Sequence, residues 1–281
     1  MLRHLPLLLA LSLAACGTRK TESVTLPGIP VEPPGASQTP ASRDQTDTSH
    51  STPPPQHQQP AEATRVVEVT RSGITITAVT FDSRTHHLSI ADQAGGPGSR
   101  WPDAAAAGRE LGGIAAVNAG FFTPEGKPLG LVVTGGKRVS PVNNSSSLGA
   151  GLFIGGPSLT LQRRGHSTSA PEILQSGPFL VENGHVISGL SQDSSTARSV
   201  LGWDGGSRWF IARTGACSLA SLGQGLAGAE IGGVKVRTVL NLDGGRSSDL
   251  WVASSVPGGP VSQRPFWNKP VRNFLVLVPR R

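Results

Sequence analysis

Apolar and polar positions alternate, run together or thin out along this chain in ways that divide it before any motif is considered. Residues 66–70 and 74–81 alternate β-branched and polar side chains on either side of Arg71-Ser72-Gly73, which predicts a hairpin closed by a tight turn. Residues 86–91 read as a third strand. Pro102 and Asp103 then open a helix through Leu111, and residues 114–117 return as a buried strand. Short strands are predicted over 128–133, 150–154, 159–162, 179–181, 185–187, 199–202, 208–212, 236–242, 250–252 and 271–278. A second amphipathic helix is supported only over 218–229, where Leu219, Leu222 and Leu226 fall three and four residues apart on one face. So many strands and so few crossovers predict an α+β domain: a mixed, largely antiparallel sheet closed or layered on itself, with two helices packed against it.

The first 65 residues follow a different pattern. Arg3 precedes an apolar run over 5–15 broken only by Pro6 and Ser12, the charged and hydrophobic regions of an export signal, too short to span a bilayer. Its end, Leu13-Ala14-Ala15-Cys16-Gly17, resembles the bacterial lipobox, which implies cleavage before Cys16 and lipid attachment to its sulfur and new amino group. Membrane lipid is then the first expected partner, through Cys16. Gly17 stands where the inner-membrane retention pattern has aspartate, which implies an outer-membrane location in a cell that has one. The bland alternative is an ordinary signal followed by a fortuitous cysteine. Residues 17–65 hold nine prolines, thirteen serines or threonines and no aromatic residue. That composition cannot bury enough surface to offset chain entropy and predicts a disordered tether. The expected organisation is a signal over 1–15, a lipidated tether over 16–65 and a folded domain over 66–281.

Charge narrows the partners. The net charge is +7, and from residue 66 onward 20 Lys and Arg face 13 Asp and Glu, so the folded part carries the excess. Its cations are scattered, without the clustered runs and interleaved aromatics of a nucleic-acid face, and export also argues against nucleic acid. An anionic small substrate or an envelope glycan fits better. Two cysteines are too few for a thiolate metal site, and His86, His87 and His185 lack ligand spacing, so neither metal nor cofactor is predicted. Cys217 reads as a lone thiol.

Four strand ends carry candidate chemistry. The apolar run 236–242 leads straight into Asp243-Gly244-Gly245-Arg246-Ser247, which reads either as a tight turn or as an anion-accepting loop with outward N–H groups. Asn118-Ala119-Gly120-Phe121-Phe122 ends the strand at 114–117. Gln175-Ser176-Gly177-Pro178 precedes the strand at 179–181, and Arg198 enters the strand at 199–202, where burial would demand an anionic partner. Asp204, Glu125 and Asp249 are further carboxylates that a turn or solvated surface explains. Ser247 lacks the Gly-x-Ser-x-Gly surround of a serine hydrolase.

Taken in order, Asn118-Ala-Gly-Phe-Phe, Pro128-Leu-Gly-Leu, Gln175-Ser-Gly-Pro-Phe-Leu-Val with Asn183-Gly184, Ala197-Arg198-Ser-Val-Leu-Gly202, Leu240-Asn-Leu-Asp243-Gly-Gly-Arg-Ser247 and Lys269-Pro-Val-Arg-Asn-Phe resemble the phosphodiester glycosidase domain family. The resemblance covers about residues 66–280. It implies a pocket lined by Asn118, Gly177, Arg198, Asp243, Gly244 and Ser247, with the Gly245 amide assisting, and hydrolysis of a sugar–phosphate link. Where eukaryotic members carry a third glycine after the aspartate, this chain has Arg246, which implies a narrower or more cationic pocket. Chemically, Asp243 would act as nucleophile or base, Arg198 would clamp phosphate, and Asn118 and Ser247 would hold sugar hydroxyls or phosphate oxygens. The competing expectation is a glycan- or phosphate-binding surface lipoprotein without turnover.

Overall fold

A computed structural model describes residues 63–165 and 169–281; the signal, Cys16 and almost all of the predicted tether lie outside the described residues. The hairpin forms as the alternation predicts: Arg65–Arg71 pairs with Ile74–Asp82 through a two-residue turn. Ser72 and Gly73 both take positive φ, 49° and 75°, as the twist of a tight hairpin requires.

Nearly all described strands join three sheets, and every pairing is antiparallel. The seven-stranded sheet runs Arg65–Arg71, Ile74–Asp82, Arg208–Thr214, Ser199–Trp203, Thr238–Asn241, Phe179–Glu182, His185–Val186. One five-stranded sheet runs Val261–Gln263, Leu250–Val252, Ala115–Asn118, Asn273–Pro279, His86–Asp92. The other runs Lys137–Ser140, Val132–Thr134, Glu172–Ser176, Gly151–Gly155, Thr160–Arg163.

Side-chain alternation explains the layering. Val79, Phe81, Leu201, Trp209, Ile211 and Leu240 face a central core shared with Leu88, Val117, Phe153, Leu174, Leu250 and Leu275 of the two smaller sheets. The intervening Ile76, Ala78, Val200, Phe210 and Val239 face outward onto Leu222 and Leu226 of helix α2 (Leu219–Leu226). On one five-stranded sheet, Ala116, Trp251, Phe274 and Val276 likewise face helix α1 (Ala104–Glu110). Strands buried on both faces lose the polar half of their pattern, which is why 236–242 reads as one apolar run.

The α+β expectation needs correcting. α1 and α2 span seven and eight residues and lie at the predicted places, Asp103 and Ser218 capping them, but the fold is dominated by stacked antiparallel sheets. Helical turns are short because most of the apolar surface is already covered by another sheet. Among the described residues, no helix is long and apolar enough to cross a membrane.

Candidate active site

Six strand ends from the three sheets meet at one place, and the side chain of Asn118 ties four of them, its own included. Its Nδ2 donates to the Asp243 carbonyl at 2.6 Å, while its Oδ1 accepts from Ser199 Oγ at 2.6 Å and from the Asp249 amide at 3.0 Å. The Asp243 amide donates to Ala119 O at 2.9 Å. Asn273 joins from its own strand, accepting the Gly120 amide at 2.8 Å. Ser176 Oγ donates to Asn241 O, and Asn241 Nδ2 donates to Gly177 O. Each bond ends a strand with a polar group because the next residue must leave the ladder without orphaning its backbone.

Asp243 stands at the centre. Strand Thr238–Asn241 delivers it, and the 3-10 turn Gly245–Ser247 follows. Its Oδ1 accepts the Gly244 amide at 2.9 Å, and Ser247 donates to the carboxylate as well. Burial pushes its carboxyl from 3.8 up to about 6, with the Ser247 and Gly244 donors pulling the other way. Among the described residues no cation is near enough to draw it down.

Arg198 borders the same turn. Gly245 N and Ser248 Oγ both donate to Ala197 O, at 2.8 and 3.2 Å, stitching the two segments together. A Cβ on Gly244 would lie 3.1 Å from that carbonyl and 3.6 Å from Arg198 Cδ, so any larger residue would crowd the contact. The Arg198 guanidinium donates from Nε to Cys217 O at 3.1 Å and from Nη2 to Ser194 O at 2.6 Å. No carboxylate among the described residues pairs with it, and burial pushes its pKa down.

The predicted site residues thus divide. Asp243, Gly244, Gly245, Ser247 and Arg198 occupy one turn and its bonded neighbour. Asn118, expected to hold sugar hydroxyls or phosphate oxygens, is fully buried, and its side chain bonds Asp243, Ser199 and Asp249. Gly177 is also buried, a Cβ there meeting Ser147 O at 2.7 Å, and its carbonyl accepts from Asn241 Nδ2. Asp204 is the turn residue expected, its Oδ1 accepting from Gly206 N and Arg208 N. Asp249 is not at a solvated surface: it is buried, its Oδ2 accepts the Ala104 amide at 2.9 Å, and burial pushes its carboxyl up. Cys217 is a buried free thiol.

Sequence reasoning missed Arg213. It lies across the ladder from Ser199, beside the entry of Arg198, and its Nε is buried without a hydrogen-bond partner. Arg213 lines a cavity of about 450 Å³ together with Thr196, Ala197, Gly245, Arg246 and the loop carrying Phe266 and Trp267. The signal was available in kind: an arginine interrupting the apolar run 209–212, and an adjacent aromatic pair beside Pro265.

Fold and cluster together define a class: a three-sheet antiparallel domain with a half-buried acid set over a hydrogen-bonded glycine turn at converging strand tips. The chain belongs to the phosphodiester glycosidase family, whose model matches residues 112–278, more than half of its length and all of this cluster. No curated protein matches the chain by sequence. Among solved structures, a hypothetical protein from Synechocystis superposes with a TM-score of 0.57 at 16% identity, over 80% of this chain and 64% of that one. The zebrafish N-acetylglucosamine-1-phosphodiester alpha-N-acetylglucosaminidase catalytic domain, auto-inhibited by its pro-peptide, gives 0.56 at 16% identity, over 80% of this chain and 86% of that one. A Burkholderia pseudomallei protein described as exported gives 0.51 at 13%, over 73% and 74%. At these identities the structural likeness establishes the fold.

Proposed function

We propose that the protein hydrolyses the bond between a sugar and a phosphodiester, with Asp243 as its reacting acid, in a glycan or glycoconjugate of the cell envelope. The observation that carries this reading is the Asp243 carboxyl itself: half-buried, pushed up to about 6 by desolvation, with no cation near it among the described residues, and held by Ser247 and the Gly244 amide. Family membership and the zebrafish fold neighbour supply the reaction class.

The chemistry needs little more. Breaking the bond between the anomeric carbon and the phosphate oxygen sends the electron pair out on a phosphate monoester, a much weaker base than an alkoxide. Protonation of the leaving group, which ordinary glycosidases supply from a second carboxyl, then contributes less. Ionised above pH about 6, Asp243 attacks the anomeric carbon or takes the proton of an attacking water. Among the described residues Arg198 keeps three of its five N–H donors uncommitted, and these donate to the phosphate oxygens as charge develops. The absence of an ion pair between Arg198 and Asp243 leaves each group available to the substrate.

Export and lipidation at Cys16 belong to the same proposal, supported by the apolar leader and by an exported fold neighbour. The test is incubation of the full chain with a panel of glycosyl phosphodiesters, following free sugar and phosphate monoester. Release of both in equal amounts is expected. No turnover across the panel, alongside retained glycan binding, would leave a binding lipoprotein in its place.

A further inference from the structure

The cavity beside the Asp243 turn has a composition of its own. Strand Arg208–Thr214 contributes Arg213, the turn contributes Gly245 and Arg246, and the loop after strand Val261–Gln263 contributes Pro265, Phe266 and Trp267. Among the described residues no carboxylate lines it. The Arg213 side chain makes no hydrogen bond among the described residues; its Nε is buried and orphaned, and burial pushes its pKa down, with Asp249 the one acid near enough to oppose that. The guanidinium is half-buried, and a buried Nε–H left without an acceptor is costly unless something in the cavity completes it.

The aromatic side is equally unusual. Phe266 is fully exposed and Trp267 is 66% exposed, although most other large apolar side chains are buried. The loop is nevertheless held in place. Arg246 Nε donates to Trp267 O at 3.2 Å, and the Lys269 amide donates to Arg246 O at 3.1 Å. Asn268 N donates to Pro265 O, while Arg264 anchors to Asp103 and to Asn268 Oδ1. The residue that departs from the family's third glycine is thus the one that fastens an aromatic pair at the rim of a cationic cavity.

From this juxtaposition we infer that the cavity is a binding subsite for a hexose bearing an anionic substituent, the anion on Arg213 and Arg246 and the ring face against Trp267 and Phe266. Flat apolar rings offer area to the C–H face of a pyranose, and paired guanidiniums match a phosphate or carboxylate. Ala197 and Gly245 line this cavity, the one next to Arg198 and the other two residues after Asp243 in the chain, so its occupant is the part of the substrate beyond the reacting phosphodiester. That placement rests on the reading of Asp243 as the reacting acid; binding in the cavity does not.

Calorimetric titration of the full chain with glucose 6-phosphate, glucuronate, glucose and inorganic phosphate tests it. At least one anionic sugar binds about tenfold or more tightly than glucose, and the stronger of the two identifies the anion. Arg213→Gln removes that preference. Trp267→Ala and the fully exposed Phe266→Ala, neither of which disturbs the core, weaken the anionic sugar several-fold and leave inorganic phosphate unchanged. Equal binding of glucose and both anionic sugars, or binding indifferent to all three substitutions, overturns the subsite. Because these titrations need no turnover, they separate from the hydrolase assay: turnover with the subsite variants unchanged rejects only this inference, and binding without turnover rejects only the reaction.

Discussion

Two Asp-Gly-Gly triplets sit at the strand ends of the same seven-stranded sheet, Asp204-Gly205-Gly206 and Asp243-Gly244-Gly245. The first joins neighbouring strands Ser199–Trp203 and Arg208–Thr214, and its carboxylate folds back onto two amides of its own loop, Gly206 and Arg208. The second leaves the sheet, receives Asn118 from another sheet on its carbonyl, lies against Arg198, and holds a carboxyl pushed up to about 6. Identical local chemistry gives a hairpin turn in one place and a candidate reaction centre in the other. What separates them is what the other sheets bring. A lone antiparallel pair can satisfy an Asp-Gly-Gly turn from within, whereas a triplet at the meeting of three sheets is partly desolvated by its surroundings.

The sharpest way to break the comparison is to neutralise each acid in turn. Asp243→Asn keeps the hydrogen-bond acceptor and should cut turnover by about 10²–10⁴-fold, the range for losing a reacting carboxylate, while Asp204→Asn leaves kcat/KM unchanged. Next comes the residue that imports the difference. Asn118→Ala strands the Ser199 hydroxyl and the Asp249 amide in a buried space, so denaturant unfolding should show a loss of about 2–4 kcal/mol, against about 1 kcal/mol or less for Asp204→Ala.

A smaller effect follows from linkage. Because the folded protein holds the Asp243 proton more tightly than the unfolded chain, its contribution to stability is fully present below pH 3.8 and is lost as pH rises through about 6. Asp243→Asn should therefore raise the Tm at pH 7.5 by about 2–5 °C, with the gain shrinking toward pH 4, as scanning calorimetry at both values would show. Arg246→Gly should be smallest, within about 0.5 kcal/mol, its signature being faster amide exchange at Lys269, which donates to the Arg246 carbonyl.

Much of this fold was legible. The hairpin, both helix caps and most strands follow from alternation, Asp103, Ser218 and apolar runs, because those signals are local. The missed strands show the limit. Glu172–Ser176 sits in mid-sheet yet runs into Gly177-Pro178, which reads as a turn, and Lys137–Ser140 is a polar edge strand with little burial to betray it. In the site, Asp243, Arg198 and the glycine turn were legible as strand ends of a family pattern. The positioning role of Asn118 and the orphaned Nε of Arg213 were not, since both arise from contacts between sheets far apart in sequence.

The most direct measurement is the pH dependence of kcat/KM for a glycosyl phosphodiester, wild type beside Asp243→Asn. Our account predicts a rise through pH about 6 in the wild type and a low, flat profile in the variant. A variant that turns over at the wild-type rate, or one that keeps the same rise, would contradict it.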